Sequence, residues 1–221
     1  MMVGRAVLLD VDGTLIDSND AHARAWVDTG REFGYEIAFE RVRWMVGMGG
    51  DKVLPELTGL GEESDEGARI LKRRGEIFRS DYLPKLQPFP RAHDLLERFV
   101  DDGYKLVVAT SASEQDLTAL LKQGGFDDII EMATSSDDAQ ESKPAPDIVE
   151  AALKKGRVSA DQAIMIGDTP YDVGAARRAG VAIVAVRCGG WADEELHGAA
   201  SVYDDPADLL RHYSTSLFGN K

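Results

Sequence analysis

Six residues able to carry phosphoryl or metal chemistry stand at wide intervals: Asp10, Asp12, Thr110, Lys143, Asp168 and Asp172. Asp10 and Asp12 are two apart, so in regular strand geometry both face one side. Gly13 lets the backbone turn sharply after them. Two carboxylates in different surroundings can divide roles. One, Asp10, can attack phosphorus and form an aspartyl-phosphate. The other, Asp12, can protonate the leaving oxygen and later deprotonate the water that cleaves the intermediate. Several carboxylates converging on one cleft repel one another, and a hard divalent cation removes that conflict. Mg2+ prefers oxygen ligands and leaves positions for water and phosphate oxygens. Lys143 adds positive charge, and the Thr110 hydroxyl can bond a phosphoryl oxygen; such a set suits stabilisation of charge on a transferring phosphoryl group.

Each residue also has a plainer reading. Asp12-Gly13 can be a turn signal, Lys143 a solvated lysine, Thr110 a strand end without a role. Asp168 and Asp172 suit the first turn of a helix through its dipole, a role compatible with metal binding. Their joint placement favours the chemical reading. Asp-x-Asp-Gly-Thr arises by chance about once in 10⁵ positions of average composition, and here it follows an apolar run and has partners downstream.

The elements that must position these groups are legible. Short apolar runs at Ala6–Leu9, Lys105–Ala109, Ile129–Met132, Ala163–Ile166 and Val181–Val186 predict buried parallel strands. Helices fall between them. Ser113 caps one over Glu114–Gln123 that Gly124-Gly125 ends, and Pro146 with Gly156 and Pro170 with Gly180 bracket two more. Strands alternating with helices predict an α/β fold, a Rossmann-like doubly wound parallel sheet covered on both faces. Ligands of such sheets bind at the carboxyl ends of the strands, where all six residues fall. Residues 19–88 interrupt the alternation with helical stretches near Ala21–Phe33, Lys52–Leu57 and Glu66–Tyr82, and Gln87-Pro88-Phe89-Pro90 closes them. The expected organisation is a catalytic core of residues 1–18 and 89–221 with a helical cap of residues 19–88 inserted after the first strand.

Bulk properties narrow the function. The chain has 221 residues, 43% hydrophobic and 29% charged, an ordinary globular balance. Acidic residues outnumber basic ones 39 to 25, for a net charge of −14. That surface repels phosphate backbones, so no nucleic-acid partner is expected, and a phosphate ligand must be drawn by local cations. The one cysteine, Cys188, excludes an internal disulfide and reads as a small buried hydrophobe. No run approaches the roughly 20 apolar residues of a membrane helix, and residues 1–10 hold no long apolar leader. A cytoplasmic protein with no membrane partner, monomeric or weakly dimeric, is expected.

These residues resemble the haloacid dehalogenase-like hydrolase superfamily over nearly the whole chain. The matching motifs read Asp10-Val11-Asp12-Gly13-Thr14, then Thr110-Ser111, then Lys143 within Ser142-Lys143-Pro144-Ala145-Pro146-Asp147, then Gly167-Asp168-Thr169-Pro170-Tyr171-Asp172. The resemblance implies Mg2+ held by the Asp10 side chain, the Asp12 carbonyl and Asp168, with Asp172 in support, and a helical cap that selects substrate. Asp12 and Asp168 argue against dehalogenation. Asp12 also argues against a phosphonatase, although Met48-Gly49-Gly50-Asp51-Lys52 resembles that subgroup. β-Phosphoglucomutases share the stretch ending His22-Ala23-Arg24-Ala25-Trp26, but their phosphate-gripping cap arginine is matched here by Gly50. The expected activity is hydrolysis of a small phosphate monoester, phosphoglycolate-like or a sugar phosphate. A phosphomutase is the alternative, followed by a phosphonatase or a non-catalytic phospho-ligand sensor. Ser111, His22, Gly49, Gly50 and Lys52 are the candidate substrate contacts. His22 is also readable as a packing or hinge residue, and Lys52 as a solvated lysine. The glycines at 47, 49 and 50 can form a turn or bring N–H groups to a phosphate. Trp26, Trp44 and Trp191 read as packing residues.

Overall fold

The apolar runs assemble into a six-stranded parallel sheet in the order β3–β2–β1–β4–β5–β6. Its strands are β1 (Arg5–Leu9), β2 (Tyr104–Ala109), β3 (Met132–Thr134), β4 (Ala163–Gly167), β5 (Ala182–Val186) and β6 (Ser201–Tyr203). The structure, a computed structural model, describes residues 5–219; residues 1–4 and 220–221 of the expected core lie outside them. Because side chains alternate along a strand, the sheet divides its apolar residues between two layers. Val7, Leu9, Leu106 and Val108 join one buried cluster. Ala6, Leu8, Val107 and Ala109 join the other. Burial on both faces is why these strands read as continuous apolar runs.

Helices α5 (Ala92–Asp101), α6 (Glu114–Gly124), α7 (Asp147–Gly156), α8 (Pro170–Arg178) and α9 (Pro206–Arg211) cover the two faces. Leu95, Phe99, Leu117, Leu120 and Leu209 pack on the first cluster, while Ile148, Val149, Val173 and Ala176 pack on the second. Caps set their starts. Ser113 Oγ accepts from the Asp116 N–H at 3.2 Å, and Thr169 Oγ1 from the Asp172 N–H at 3.1 Å.

Two expectations about the sheet need correction. Its third strand lies at Met132–Thr134 rather than Ile129–Met132. Ile129 and Ile130 instead close the turn behind α6, with the Ile130 N–H bonded to Phe126 O at 2.9 Å and Ile130 buried in the first cluster. Strand β6 was not expected, since Ser201-Val202-Tyr203 is too short and half-polar to show a period.

Between β1 and α5 the chain is helical: α1 (Asn19–Phe33), α2 (Phe39–Arg43), α3 (Gly50–Thr58) and α4 (Asp65–Ile77), the last running into a π-helical turn over Phe78–Tyr82. The expected helix over Glu66–Tyr82 therefore changes pitch at Phe78, and α2 escaped the sequence reading because five residues carry no resolvable period. These helices have an apolar cluster of their own, with Trp26, Val42, Val53, Leu54 and Ile70. Helix α1 serves both sides, giving Ala23 and Trp26 to that cluster and Ala21 and Ala25 to the core. Where the chain leaves and returns, it pairs with itself: the Asp17 N–H bonds to Gln87 O at 3.2 Å and the Phe89 N–H to Leu15 O at 2.9 Å. Among the described residues no helix is long and apolar enough to cross a membrane.

Candidate active site

The chain builds β1, β2 and β3 to one side, then returns past β1 to build β4, β5 and β6 on the other. Helices leave the two halves in opposite directions at this reversal, so a crevice opens at the carboxyl ends of β1 and β4. Leu9 pairs with Ile166 across it, and the Asp10 N–H donates to Ile166 O at 3.0 Å. Asp10 thereby stands level with Gly167, and Asp168 follows one residue beyond, both at the ends of the two central strands. Gly13 takes φ +74° just beyond, where a Cβ would lie 2.2 Å from Asn19 Nδ2 and 2.3 Å from Asp168 Oδ2. The turn fits only a residue without a side chain.

Lys143 reaches the same point from the loop before α7. Its side chain is 1% exposed, with Nζ 2.6 Å from Asp10 Oδ1 and 2.7 Å from Asp172 Oδ1. Burial favours the neutral amine, but Asp10 and Asp172 more than reverse this and raise its pKa. Asp10, Asp168 and Asp172 are all buried, and each offers an oxygen within 4.8 Å of the others. Asp168 accepts from Thr14 Oγ1 and Asn19 Nδ2, both at 3.0 Å. Even so, burial followed by repulsion from Asp172 pushes its pKa up to about 7. Asp10 is raised well above the carboxylate range by burial, with Asp172, Asp168 and Asp12 adding to the effect against Lys143. Three buried carboxylates share one buried ammonium. That surplus of negative charge, all on oxygen, fits a hard divalent cation.

Asp12 sits in a different field. Ser18 Oγ donates to its Oδ1 at 2.5 Å, and His22 Nε2 lies 2.7 Å from the same oxygen. Burial would raise its pKa, but His22, Ser18 and Arg74 outweigh that and lower it. The His22 ring stacks on Phe78 with centroids 4.0 Å apart, and its Nδ1 meets the Arg74 guanidinium. Arginine only donates, so Nδ1 accepts and Nε2–H points at Asp12. Among the described residues no hydrogen bond ends on Asp12 Oδ2; both contacts are to Oδ1.

A cavity of about 460 Å³ opens between these aspartates and the inserted helices. Thr110, Ser111, His22 and Gly50 line it. Among the described residues the buried Ser111 Oγ has no hydrogen-bond partner. Gly49 and Lys52 do not line it. The Gly49 N–H donates to Ser142 Oγ at 3.0 Å, and Lys52 pairs with Glu141 at 3.1 Å. In this structure both residues dock α3 against the loop that carries Lys143. The tryptophans pack as expected, with Trp44 edge-on to Trp191 at 4.7 Å although 44% exposed. Cys188 is partly buried with Sγ 3.2 Å from Gly13 O.

Sequence reasoning missed several residues of this site. Asn19 and Thr14 orient Asp168, and Asp51 holds Ser142 through a 2.5 Å bond. Arg74 and Arg79 line the cavity and share Asp116. Thr14, inside the first motif, was the one with a signal.

A doubly wound sheet that gathers acids and one lysine at its central crevice defines an α/β enzyme with an oxygen-rich, charge-dense site. The family model of the haloacid dehalogenase-like hydrolases matches residues 7–186, and the chain belongs to that family. The phosphoglycolate phosphatase of Rhodospirillum rubrum is 34% identical over 215 residues, 93% of this chain and 89% of that one. The phosphoglycolate phosphatase of Aquifex aeolicus is 31% identical over 80% of this chain and 81% of its own. A hydrolase from Pseudomonas syringae superposes with a TM-score of 0.88 at 31% identity, covering 96% of this chain and 98% of its own. CbbY from Rhodobacter sphaeroides, solved in complex with phosphate, gives 0.80 at 26% identity over 94% and 96%.

Proposed function

We propose that the protein is a Mg2+-dependent phosphatase that hydrolyses a small phosphate monoester through an aspartyl-phosphate on Asp10. The observation that carries the reading is the contrast between the two aspartates: Asp10 faces Lys143 at 2.6 Å and two buried acids, while Asp12 is held by His22 and Ser18. The relatives named phosphoglycolate phosphatase support it. Asp10, Asp168 and Asp172 would hold Mg2+, with the Asp12 carbonyl as a further oxygen. When bound, the ion would supply neutralising charge beside the Asp10 nucleophile and the phosphoryl oxygens.

Lys143 works against the burial and repulsion that raise the Asp10 pKa, and aims its carboxylate. Thr110 and Ser111 offer hydroxyls to the phosphoryl oxygens. Asp12, ionised in the resting site, gains its proton as the anionic substrate arrives beside it. It gives that proton to the leaving oxygen, then as a carboxylate takes one from the water that attacks the phosphorus. Residues 19–88 act as the cap, and the cavity they enclose admits a phosphoglycolate-sized or sugar-phosphate ligand.

A phosphatase fits better than a phosphomutase because Gly50 brings no guanidinium to the cavity wall, while Arg74 and Arg79 are already committed to Asp116. A panel of phosphorylated metabolites with Mg2+, read as released phosphate, tests the proposal. β-Glucose 1-phosphate giving glucose 6-phosphate in place of free phosphate makes the protein a mutase. Full turnover by Asp10→Asn rules out the covalent route.

A further inference from the structure

The cavity wall away from Lys143 holds a buried ionic knot to which the phosphoryl chemistry assigns no task. Asp116 stands in the first turn of α6, its side chain 3% exposed. Its Oδ2 accepts from Arg74 at 2.9 Å, and its Oδ1 accepts from Arg79. Both arginines belong to the inserted helices. Arg74 turns to His22 Nδ1 as well, and His22 reaches Asp12. Asp116, Arg74, His22 and Asp12 thus form one unbroken chain of polar contacts.

Each link has a physical reason. The Arg74 guanidinium is largely buried, and the rings of Phe78 and Trp26 lie 5.3 and 5.9 Å from its centre. Its orientation follows from the acids within reach, Asp116 on one side and Asp12 on the other. With Asp116 in place, Arg74 is drawn away from Asp12 and presents a donor to His22, which in turn steers Asp12 through Oδ1 alone. Without that carboxylate, Asp12 is the strongest remaining attraction for the guanidinium. Arg79 closes the arrangement by holding the second Asp116 oxygen, so the carboxylate cannot rotate off Arg74.

We infer that Asp116 is a positioning residue for Asp12, acting through Arg74 and His22. This rests on the phosphatase reading above. In the step concerned, an Asp10 oxygen forms a bond to phosphorus while the ester P–O bond breaks, its electron pair staying on the leaving oxygen. The Asp12 proton moves to that oxygen, and Asp12 is left as a carboxylate. The more basic the leaving oxygen, the more the step depends on the donor. A residue acting through Asp12 must therefore matter most for poor leaving groups, which a merely structural residue does not.

The test measures kcat/KM with Mg2+ for p-nitrophenyl phosphate, a good leaving group, and phenyl phosphate, a poor one. The proteins are the full chain, Asp12→Asn, Asp116→Asn and the double variant. Asp116→Asn is expected to lose about tenfold or more on phenyl phosphate and less than about threefold on p-nitrophenyl phosphate. Added to Asp12→Asn, it is expected to cost less than about twofold more, because both act on one function. Equal losses on the two esters, or a tenfold further loss in the double variant, overturns the proposal. Should Asp12→Asn itself lose equally on both esters, the role of Asp12 falls and this proposal falls with it; a selective Asp12→Asn beside a uniform Asp116→Asn sinks this proposal alone. If Asp116→Asn does not fold, Arg79→Gln, which frees a single Asp116 oxygen, enters the same cycle under the same criteria.

Discussion

Lys143 and Asp10 meet at 2.6 Å in a site where the lysine side chain is 1% exposed. The lysine pairs with Asp10 and with Asp172, two of the three clustered buried acids Asp10, Asp168 and Asp172. Replacing it by methionine keeps the volume and removes the charge. Breaking a buried pair from one side costs about 3–5 kcal/mol, and Lys143→Met is expected to lose stability on that scale in urea unfolding without metal. Turnover with saturating Mg2+ is expected to fall about 10²–10³-fold, as for loss of one preorganised electrostatic contact. Activity within tenfold of the parent would show that Lys143 has no catalytic part.

Asp168 makes the metal-free protein sensitive to pH in a defined direction. Its folded pKa, about 7, lies above the ordinary 3.8. A raised folded pKa contributes stability that is fully present below the unfolded value and lost as pH rises through the folded one. In EDTA, the thermal midpoint of the parent is expected to fall relative to Asp168→Asn between pH 4 and pH 7. Comparing the two proteins cancels the titrations they share. Mg2+ is expected to restore the parent at pH 7 and the variant much less. A flat difference between the two proteins, or one that grows with pH in favour of the parent, contradicts the assignment.

Gly13 is a turn residue with no room for a methyl group. Gly13→Ala imposes a left-handed backbone on alanine, at about 1–2 kcal/mol, and drives Cβ into Asn19 and Asp168. A total loss of about 2–5 kcal/mol is expected, overpacking included. Because one clash is with Asp168, metal affinity measured by titration calorimetry is expected to weaken about tenfold or more; unchanged affinity would mean that the turn does not shape the acid cluster.

Lys52 is paired with Glu141 at the surface, with side chains 30% and 66% exposed. Exposed pairs contribute about 0–1 kcal/mol. Lys52→Ala is expected to leave KM and kcat within about twofold and stability within about 1 kcal/mol. A tenfold rise in KM would return Lys52 to the substrate contacts.

The core was legible because its physics is local. An apolar run bounded by Gly, Pro and capping residues is a buried strand wherever it sits, and a reactive residue following such a run stands at a sheet edge. Ala6–Leu9 with Asp10, and Ala163–Ile166 with Asp168, were readable on that rule. The rule gave out where burial came from turns or short elements: Ile129 and Ile130 looked like strand and serve a loop, and β6 has too few residues to show alternation.

The residue types, their order and their spacing determined the α/β class, the helical stretch after β1 and the set Asp10, Asp12, Thr110, Lys143, Asp168 and Asp172. Tertiary structure alone decided what surrounds them. Arg74 and Arg79 are five apart, which on a regular α-helix points them to different sides. In the folded chain both nonetheless reach Asp116. Likewise Gly49 and Lys52 look outward or inward in sequence with equal ease, and their partners, Ser142 and Glu141, lie about ninety residues away. Periodicity records which face of an element is apolar. It holds no record of which distant polar group that element will meet, because that depends on how the elements pack.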